Sequence, residues 1–417
     1  MRRTRLDALI CRQERLKELT RERLEEIQLS RLNDVLRREK AQGRFYRDLP
    51  ERLSSLEDLT LLPFTTADML SSSSSRMLLL SQSEILRVIS GETSGTTGQP
   101  KRIFYTKRDL GRTVELFAAG IGEMCAAGNR VLIDMPFSGP YGLGELVEKA
   151  TRRTGAMPLR GHPGGSWEER ARQVHEERPD TAIAFPVPLL GLARLYRDLY
   201  GDGFPIRSAL VSGDACPSGV MKCLAEECSM TLFPHYGSRE MALAGAISCP
   251  AHEGMHLREN HVLAEIIDRD GNVLPEGAFG ELVITTIGME GMPLIRYRTG
   301  DRTRFLPGPC SCGGATRRLD RVSRMDWSSS RMEELDSLLF PVPNLVDFHA
   351  AWEGDSLLLI ARTLDGTGRE ELLGRAGDMF PALRLSVSPC RPEDVPLYRG
   401  KRHIVLLVEK NPCFPAL

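Results

Sequence analysis

Short apolar runs separated by helical stretches dominate the middle of the chain. Three of these runs are Val131 to Asp134, Ala182 to Phe185 and Ala209 to Ser212. This alternation is typical of a mostly parallel sheet covered by helices, so an α/β fold is predicted. Ligands in such sheets bind at the carboxyl ends of strands, and the polar loops after these runs are therefore the first candidates for a site.

Two such loops carry distinctive residues. Gly213 and Asp214 directly follow the third run, and Tyr236 with Gly237 follows a fourth run, Met230 to Phe233. Because the carboxyl ends of parallel strands lie at one edge of a sheet, both loops are expected to open onto the same edge.

A smaller β-sheet is predicted farther along the chain. Val262 to Ile267 and Glu281 to Thr285 flank Asp270-Gly271, which indicates antiparallel strands joined by a turn. After Arg321 the pattern changes to a helical segment followed by strands such as Ile404 to Val408. We therefore expect a large N-terminal domain of mostly parallel α/β sheets plus a small β-sheet over 1–322, and a small mobile α+β lid domain over 323–417.

The first 47 residues are predicted to be helical. They carry 14 Lys and Arg against 8 Asp and Glu, and a basic arm of this kind could contact a membrane or RNA. Their apolar residues, however, recur at helical spacing, which favours an amphipathic helix packed on the body. These residues are Leu16, Leu19, Leu24, Ile27, Leu32, Val35 and Leu36.

Composition narrows the class of protein. The 417 residues include 55 Lys and Arg against 56 Asp and Glu, so no global positive field attracts nucleic acid. There is no run of eighteen apolar residues, hence no predicted membrane span, and the charged start lacks the apolar region of a secretory signal. Ten cysteines are too sparse for a disulfide scaffold, which favours a reducing cytoplasm.

A glycine and hydroxyl-rich segment before a lysine is the strongest chemical signal. Glycines let the backbone approach an anion, hydroxyls donate hydrogen bonds, and the lysine adds positive charge. The segment departs from the pattern of an ordinary P-loop, and alone it would indicate only a flexible turn. Its members are Thr93, Ser94, Gly95, Thr96, Thr97, Gly98 and Lys101.

Two further motifs follow this segment in order. They are Tyr236-Gly237-Ser238-Arg239-Glu240 and Tyr297-Arg298-Thr299-Gly300-Asp301. With the segment above, they resemble the adenylate-forming superfamily of acyl-CoA synthetases. Arg44 to Arg47, Leu62 to Thr66 and Met292 to Tyr297 resemble its phenylacetate-CoA ligase family, so the resemblance spans nearly the whole chain.

The resemblance implies activation of a carboxylate in two steps, through an acyl-adenylate formed from ATP and then a thioester with CoA. It places residues 93 to 101 on the β- and γ-phosphates. It assigns Mg²⁺ to Glu240, adenine stacking to Tyr236 and the ribose hydroxyls to Asp301. Gly237 and Ser238 belong to the same nucleotide-binding motif.

The remaining nucleotide contacts are also implied by the resemblance. Gly213 and Asp214 match the adenine-side loop, where the family usually has Gly-Ala-Glu. Lys401, in Gly400-Lys401-Arg402, matches the lysine that reaches the carboxylate and α-phosphate during adenylation. The motifs do not show the acyl pocket, but Phe137, Tyr141 and Gly142 lie on a loop that we expect to line it.

Three positions depart from the family pattern. Arg239, which we place with Lys401 and Glu240 among the catalytic residues, stands where Thr or Ser is common. Its positive charge beside the phosphates either helps binding or displaces a normal contact. Arg324, expected to contact the nucleotide, and the hinge residue Asp326 match the hinge motif only in part, because Ser323 replaces its glycine and Trp327 its second aspartate.

Cys249, His256, Cys310 and Cys312 form a second constellation. Thiolates and imidazole suit tetrahedral Zn²⁺, and a Cys-x-Cys-Gly-Gly knuckle lets two thiolates converge on one ion. The alternative is four unrelated small buried residues, with His252 and His261 as competing neighbours. Four protein ligands leave no open position, so a zinc ion here would be structural.

The leading hypothesis is an ATP-dependent acid:CoA ligase for an aromatic or other compact carboxylate. A second is an adenylating enzyme that passes the acyl group to a protein thiol or another nucleophile. A third is a non-catalytic nucleotide-binding protein, suggested by Arg239 and the altered hinge. The sequence leaves open the acid, the pathway and the oligomeric state, a homodimer included.

Overall fold

The computed structural model describes residues 4–91, 101–201, 203–398 and 400–407. The chain divides into two compact units, each assembled from three separate pieces. Unit 1 comprises Met1–Ala126, Phe137–Gly155 and Phe233–Val322, and unit 2 comprises Ala127–Pro136, Ala156–Leu232 and Ser323–Leu417. Within the described ranges no helix is both long and apolar enough to cross a membrane.

The described residues of unit 1 form five α-helices and most of the antiparallel strands. The helices are α1 (Arg5–Glu14), α2 (Arg21–Gln42), α3 (Ala67–Ser73), α4 (Lys107–Met124) and α5 (Leu143–Arg153). The strands are β1 (Arg87–Gly91), β2 (Lys101–Tyr105), β8 (Ala246–Ser248), β9 (Met255–Leu257), β10 (Leu263–Ile267), β11 (Gly280–Thr285), β12 (Tyr297–Thr303) and β13 (Arg318–Leu319). Strand β7 (Thr231–Tyr236) enters unit 1 at Phe233.

Unit 2 contains the parallel strands and the C-terminal segment. Its first part holds β3 (Arg130–Asp134), β4 (Met157–Arg160), α6 (Trp167–Glu177), β5 (Thr181–Ala184), α7 (Pro186–Tyr200), β6 (Ser208–Val211) and α8 (Ser218–Glu227). Its last part holds β14 (Ser323–Arg324), α9 (Trp327–Leu339), β15 (Leu345–Glu353), β16 (Ser356–Thr363), α10 (Arg369–Gly377), β17 (Leu383–Pro389) and β18 (Val405–Leu406).

The α/β prediction for the middle of the chain is confirmed. Strands β4, β3, β5 and β6 are parallel neighbours in that order. The residues of β5 are buried along its whole length, and α7 begins directly after it with Pro186 in its first turn, where a missing N–H costs nothing. The loop that carries Gly213 and Asp214 leaves the carboxyl end of β6.

The predicted antiparallel sheet is confirmed as well. Strand β10 pairs with β11, with Leu263 opposite Thr285, and β11 pairs with β12. Gly271 in the connecting turn has φ +89°, a conformation that glycine adopts without strain. Strand β12 carries the Tyr297 to Asp301 motif, so the sheet fixes the backbone of these residues.

The N-terminal segment forms two helices instead of one. Arg15 has φ 56° and ends α1, and α2 restarts after Thr20, whose hydroxyl accepts a hydrogen bond from the Arg23 N–H. Leu24, Leu32 and Leu36 are buried as the helical spacing predicts, but Leu16 and Leu19 lie in the connection. Thr20 is a good N-cap residue, and this signal competes with the leucine periodicity.

The C-terminal segment shares a hydrophobic core with the parallel strands inside unit 2. Buried residues of α7 and α8 belong to the same apolar cluster as residues of α9, β15 and β16. Arg194 of α7 donates hydrogen bonds to the carbonyls of Phe340, Val342 and Leu345 at 2.8, 2.9 and 2.7 Å. The sheet of the C-terminal segment has the strand order β17-β16-β15-β18.

Candidate active site

Lys101, the first residue of β2, is the described end of the segment predicted to bind phosphates. Its Nζ lies 2.9 Å from the hydroxyl of Tyr297 and 3.7 Å from Oε1 of Glu240. The Tyr297 hydroxyl also donates to Glu240 Oε1 at 3.3 Å. A cation, a hydroxyl and a carboxylate are therefore gathered at one place in unit 1. The other predicted members, Thr93 to Gly98, lie outside the described residues.

The backbone around Glu240 is tightly constrained. A side chain at Gly237 would place its Cβ 2.3 Å from the Leu243 carbonyl oxygen, so only glycine fits there. Ala242 and Leu243 both have positive φ, at 55° and 64°. The Tyr105 hydroxyl donates to the carbonyl of Arg239 at 2.5 Å, which holds the short helix that carries Glu240. The loop is thus positioned by contacts from β2 and not by its own sequence alone.

Arg239 and Ser238 lie on this same loop. The Arg239 side chain is exposed, whereas the adjacent Glu240 side chain retains only 13% of its accessible surface. Within the described part of the chain, the buried hydroxyl oxygen of Ser238 has no hydrogen-bond partner. A buried hydroxyl without a partner is unfavourable, so a ligand group at this loop would stabilise it.

Tyr236 and Asp301 form a direct pair in unit 1. The Tyr236 hydroxyl donates to Asp301 Oδ2 at 2.7 Å. Asp301 is 5% exposed, and its N–H donates to the Thr299 hydroxyl at 3.1 Å. Gly300, immediately before it, has φ +71°, so the motif needs glycine at that position. The structure brings together the residues predicted for adenine and for ribose.

In unit 2, the Gly213-Asp214 loop is held by backbone N–H groups. Gly213 has φ +88°, and a Cβ there would lie 2.4 Å from Cε1 of Phe185. Asp214 Oδ2 accepts the Arg402 N–H at 2.8 Å, and Oδ1 accepts the Ala215 N–H at 2.9 Å. Burial raises the pKa of Asp214 above its usual value, although these hydrogen bonds oppose the shift.

Lys401 and the predicted hinge also belong to unit 2. Lys401 is exposed, and its carbonyl lies 3.2 Å from Nδ1 of His403. Arg324 Nε lies 3.6 Å from Asp326 Oδ2. Asp326 is the N-cap of α9, because its Oδ1 accepts the Ser329 N–H at 2.9 Å. The predicted hinge residue therefore begins a helix.

The loop predicted to line the acyl pocket lies in unit 1. Tyr141 has φ 68°, and Lys149 Nζ lies 4.6 Å from its ring centroid. Gly142 is the N-cap of α5, where a Cβ would lie 2.3 Å from Glu145 Oε2. Phe137 is half-buried. The role of this loop as an acyl pocket stays a prediction.

The four predicted zinc ligands come together in unit 1. The ligand atoms of Cys249, His256, Cys310 and Cys312 all lie within 4.8 Å of one another. The Sγ atoms of Cys249 and Cys310 are 3.8 Å apart, and Cys312 Sγ lies 3.3 Å from His256 Nε2. Two thiolates on one tetrahedral zinc, each about 2.3 Å from the metal, would lie about 3.8 Å apart.

Neighbouring groups orient this cluster. His256 Nδ1 lies 3.2 Å from the Thr316 carbonyl, so a proton on Nδ1 leaves Nε2 facing Cys312. Burial is the main cause that lowers the pKa of His256 to about 4 and raises that of Cys249. The competing His252 packs its ring 4.8 Å from that of Phe233 and is not part of the cluster.

Sequence reasoning missed several residues that hold the site together. Tyr297 was recognised only as part of a motif, yet it bridges Lys101 and Glu240. Tyr105 holds the Glu240 loop, and Asp336 and Asp347 bind the side chain of Arg402. No local pattern marks the two aspartates, because their partner lies more than 50 residues away.

Comparison with known proteins shows which family model and which solved structures this chain resembles. The family model of AMP-binding enzymes matches residues 93–291. In overall fold the chain is similar to 2-hydroxyisobutyryl-CoA ligase in its postadenylation state, with a TM-score of 0.76 and 18% identity over 93% of this chain and 90% of that one. The chain therefore shares its overall fold with that ligase.

Relatives in sequence show the family to which the chain belongs. The chain is 30% identical to a phenylacetate-coenzyme A ligase of Thermus thermophilus over 318 residues, which cover 72% of this chain and 70% of that protein. It is also 30% identical to the Escherichia coli protein of that name, over 66% of this chain and 63% of the relative. The chain belongs to the phenylacetate-CoA ligase family, as its motifs predicted.

Proposed function

We propose that the protein is an ATP-dependent acid:CoA ligase that activates an aromatic or other compact carboxylic acid. The observation that supports this most directly is the meeting of Lys101, Tyr297 and Glu240 in unit 1. It joins the end of the predicted phosphate segment to the carboxylate predicted to hold a metal ion. A cation and a metal-binding carboxylate are the groups that stabilise charge during phosphoryl chemistry.

In the first step, an oxygen of the substrate carboxylate attacks the α-phosphorus of ATP, and the bond to pyrophosphate breaks. Lys101 neutralises phosphate charge, and Asp301 accepts hydrogen bonds from the ribose hydroxyls while Tyr236 contacts adenine. Lys401 supplies positive charge at the carboxylate and α-phosphate. In the second step, the CoA thiolate attacks the acyl carbonyl and AMP leaves.

Glu240 is the residue proposed to hold Mg²⁺. Its side chain is mostly buried and offers a carboxylate oxygen, the hard ligand that Mg²⁺ prefers, so the donor fits the ion. The ion would supply charge neutralisation on phosphate oxygens. The nearby hydroxyl of Tyr297 orients the Glu240 carboxylate, and Lys101 lies within 3.7 Å of it.

We further propose that Cys249, His256, Cys310 and Cys312 hold one structural Zn²⁺. The four ligand atoms have the right chemistry and lie within 4.8 Å of one another, and the 3.8 Å between the Sγ atoms of Cys249 and Cys310 suits two thiolates on one tetrahedral zinc. The Gly314 N–H lies 3.3 Å from Cys312 Sγ and would stabilise a thiolate there. A reducing cytoplasm suits such a site, in which Cys249, Cys310 and Cys312 are not joined in a disulfide.

Release of pyrophosphate with a panel of carboxylic acids, with and without CoA, tests the proposal. We expect release to depend on one class of compact acid, and CoA to convert the product to a thioester. Acid-dependent release without use of CoA would indicate another acyl acceptor. No release with any acid would indicate a nucleotide-binding protein without turnover and would overturn the proposed function.

A further inference from the structure

Arg402, next to Lys401, is gripped by two buried carboxylates. Its Nε lies 3.0 and 3.1 Å from the two oxygens of Asp336, and its Nη2 donates to Asp336 Oδ1 at 2.8 Å. Its Nη1 donates to Asp347 Oδ1 at 3.0 Å. All three side chains are 5% exposed or less. We call this group the Arg402 clamp.

The clamp also continues to the predicted adenine-side loop. The backbone N–H of Arg402 donates to Asp214 at 2.8 Å, and this N–H belongs to the peptide bond that joins Lys401 to Arg402. Asp347 is fixed in turn by the N–H groups of Phe348 and Leu397, at 2.8 and 2.7 Å. The backbone next to Lys401 is thus held in two ways: through the side chain of Arg402 and through its main-chain N–H.

The clamp places three charged side chains inside unit 2. One guanidinium faces two carboxylates inside the protein, with Asp214 close by, and burial raises the pKa of Asp336 to about 7. Replacing such buried ionic groups by apolar side chains is often neutral or stabilising. Stabilisation of the fold alone is therefore a weak reason for the clamp. A stronger reason is that it fixes the backbone next to Lys401, which every step that needs this lysine in place requires.

We propose that Arg402 is a positioning residue for Lys401, held by Asp336 and Asp347 and aligned with the Asp214 loop through its main-chain N–H. The inference rests on the proposed function, in which Lys401 acts during adenylation. Misplacing a reacting group by about 1 Å can cost roughly 10²-fold in rate. Loss of the clamp should therefore slow adenylation selectively and leave the attack of CoA on the adenylate largely intact.

Arg194 provides a matched control within unit 2. It is fully buried, pairs with Glu227 at 2.6 Å and donates to three backbone carbonyls, and none of these partners lies in the described residues 400–407 around Lys401. Arg402→Met should lower the rate of pyrophosphate release by roughly 10-fold or more, with little change in KM for ATP, and spare thioester formation from ready-made adenylate. Arg402→Lys should restore part of the loss. Arg194→Met should affect the two half-reactions equally.

Limited proteolysis tests the clamp without any assumption about activity. Trypsin cleaves after Lys401 only when that peptide bond leaves Asp214, so Arg402→Met should speed the cut at Lys401 several-fold, and Arg194→Met should not. Equal losses in both half-reactions for Arg402→Met, or an unchanged cut at Lys401, would overturn the inference. Absence of pyrophosphate release from the wild-type protein would instead overturn the proposed function, and proteolysis would then decide the clamp alone.

Discussion

Glu240 is the carboxylate of unit 1 that we propose holds Mg²⁺. Changing Glu240 to Gln removes the charge and keeps the shape and the contact with Tyr297. We expect adenylation to fall by roughly 10²-fold, the scale seen when one preorganised electrostatic contact is lost, and the Mg²⁺ requirement to rise. Pyrophosphate release measured against Mg²⁺ concentration checks this.

Glu265 supplies the control for that experiment. It is also a partly buried carboxylate in unit 1, but it pairs with Arg296 at 2.9 Å instead of Lys101. Glu265→Gln should change stability without changing the Mg²⁺ dependence. If Glu240→Gln behaves the same way, the metal role of Glu240 is wrong.

Glu39 is a buried carboxyl on α2 that the proposed function does not use. It is 1% exposed, and within the described residues neither carboxylate oxygen has a hydrogen-bond partner. Burial raises its pKa to about 8. The folded state therefore holds a proton that the unfolded chain releases near the usual glutamate pKa of about 4.3.

The sign of the pH dependence follows from this difference. Because the folded state binds the proton more tightly, Glu39 makes the folded state progressively less stable as pH rises from about 4.5 to 8. Glu39→Gln should raise the free energy of unfolding at pH 8 by roughly 1 to 3 kcal/mol and change it little at pH 5. Urea unfolding of both proteins at the two pH values measures this, and an equal effect at both would contradict it.

At this scale, the sequence identified residues whose type and order carry a motif. Glu240, Asp301 and Lys401 were predicted because each lies in a short pattern with defined chemistry, and their roles stay predictions. Tyr297 and Arg402 acquire their contacts only through folding, since Tyr297 meets Lys101 across 196 positions and Arg402 meets Asp336 across 66. A tyrosine or arginine at such a distance carries no local signal.

Individual strands were predicted well where burial is complete. Strands β3, β5 and β6 begin or end within one residue of the predicted runs, because buried parallel strands are continuously apolar. The N-terminal helix was predicted without its break at Arg15 and Thr20. Leu19 is buried in the connection between α1 and α2, so the leucine spacing continues through it. The spacing alone therefore does not reveal that the helix is interrupted there.

The cysteine cluster joins strands and a loop of unit 1. Cys249 directly follows β8, His256 lies in β9, and Cys310 and Cys312 lie before β13. A bound ion would therefore cross-link Cys249 to Cys310 across 61 positions of the chain. We expect purified protein to contain about one zinc per chain, and Cys310→Ser/Cys312→Ser to lose the metal and melt at lower temperature.

Metal analysis and thermal melting check this expectation. Cys228→Ser is the control, because Cys228 is also buried but lies outside the cluster. Its zinc content should equal that of the wild type. Metal-free protein that melts at the wild-type temperature after the double substitution would remove the case for a zinc site.

At the scale of the whole molecule, the proposed lid over 323–417 predicts that single substitutions can impair one half-reaction and spare the other. Lys401→Ala should block formation of the acyl-adenylate and spare thioester formation from adenylate supplied ready-made. Asp326→Pro should do the reverse, because proline fixes φ near the present value of −67° and restrains a rotation there. Asp326→Ala removes the same helix cap without fixing φ and is the control.

Rates of the two half-reactions, measured separately for each variant, decide the question. Equal losses in both steps for Lys401→Ala would argue for one static site. The shared core of unit 2 bears on the lid hypothesis. A lid made of 323–417 alone would have to leave the apolar cluster that contains α7 and α8, and the half-reactions show whether turnover requires this.

That shared core also has a consequence for synthesis of the protein. Leu190 and Ala193 of α7 belong to an apolar cluster that also includes Phe340, Phe348 and Ile404. At about 5 to 20 residues per second, a ribosome needs roughly ten seconds or more to make the chain from Ala193 to Ile404. Throughout that interval the cluster lacks its last members, and exposed apolar surface of this kind aggregates or recruits a chaperone. Yield in cells should therefore depend on how quickly the last quarter of the chain leaves the ribosome.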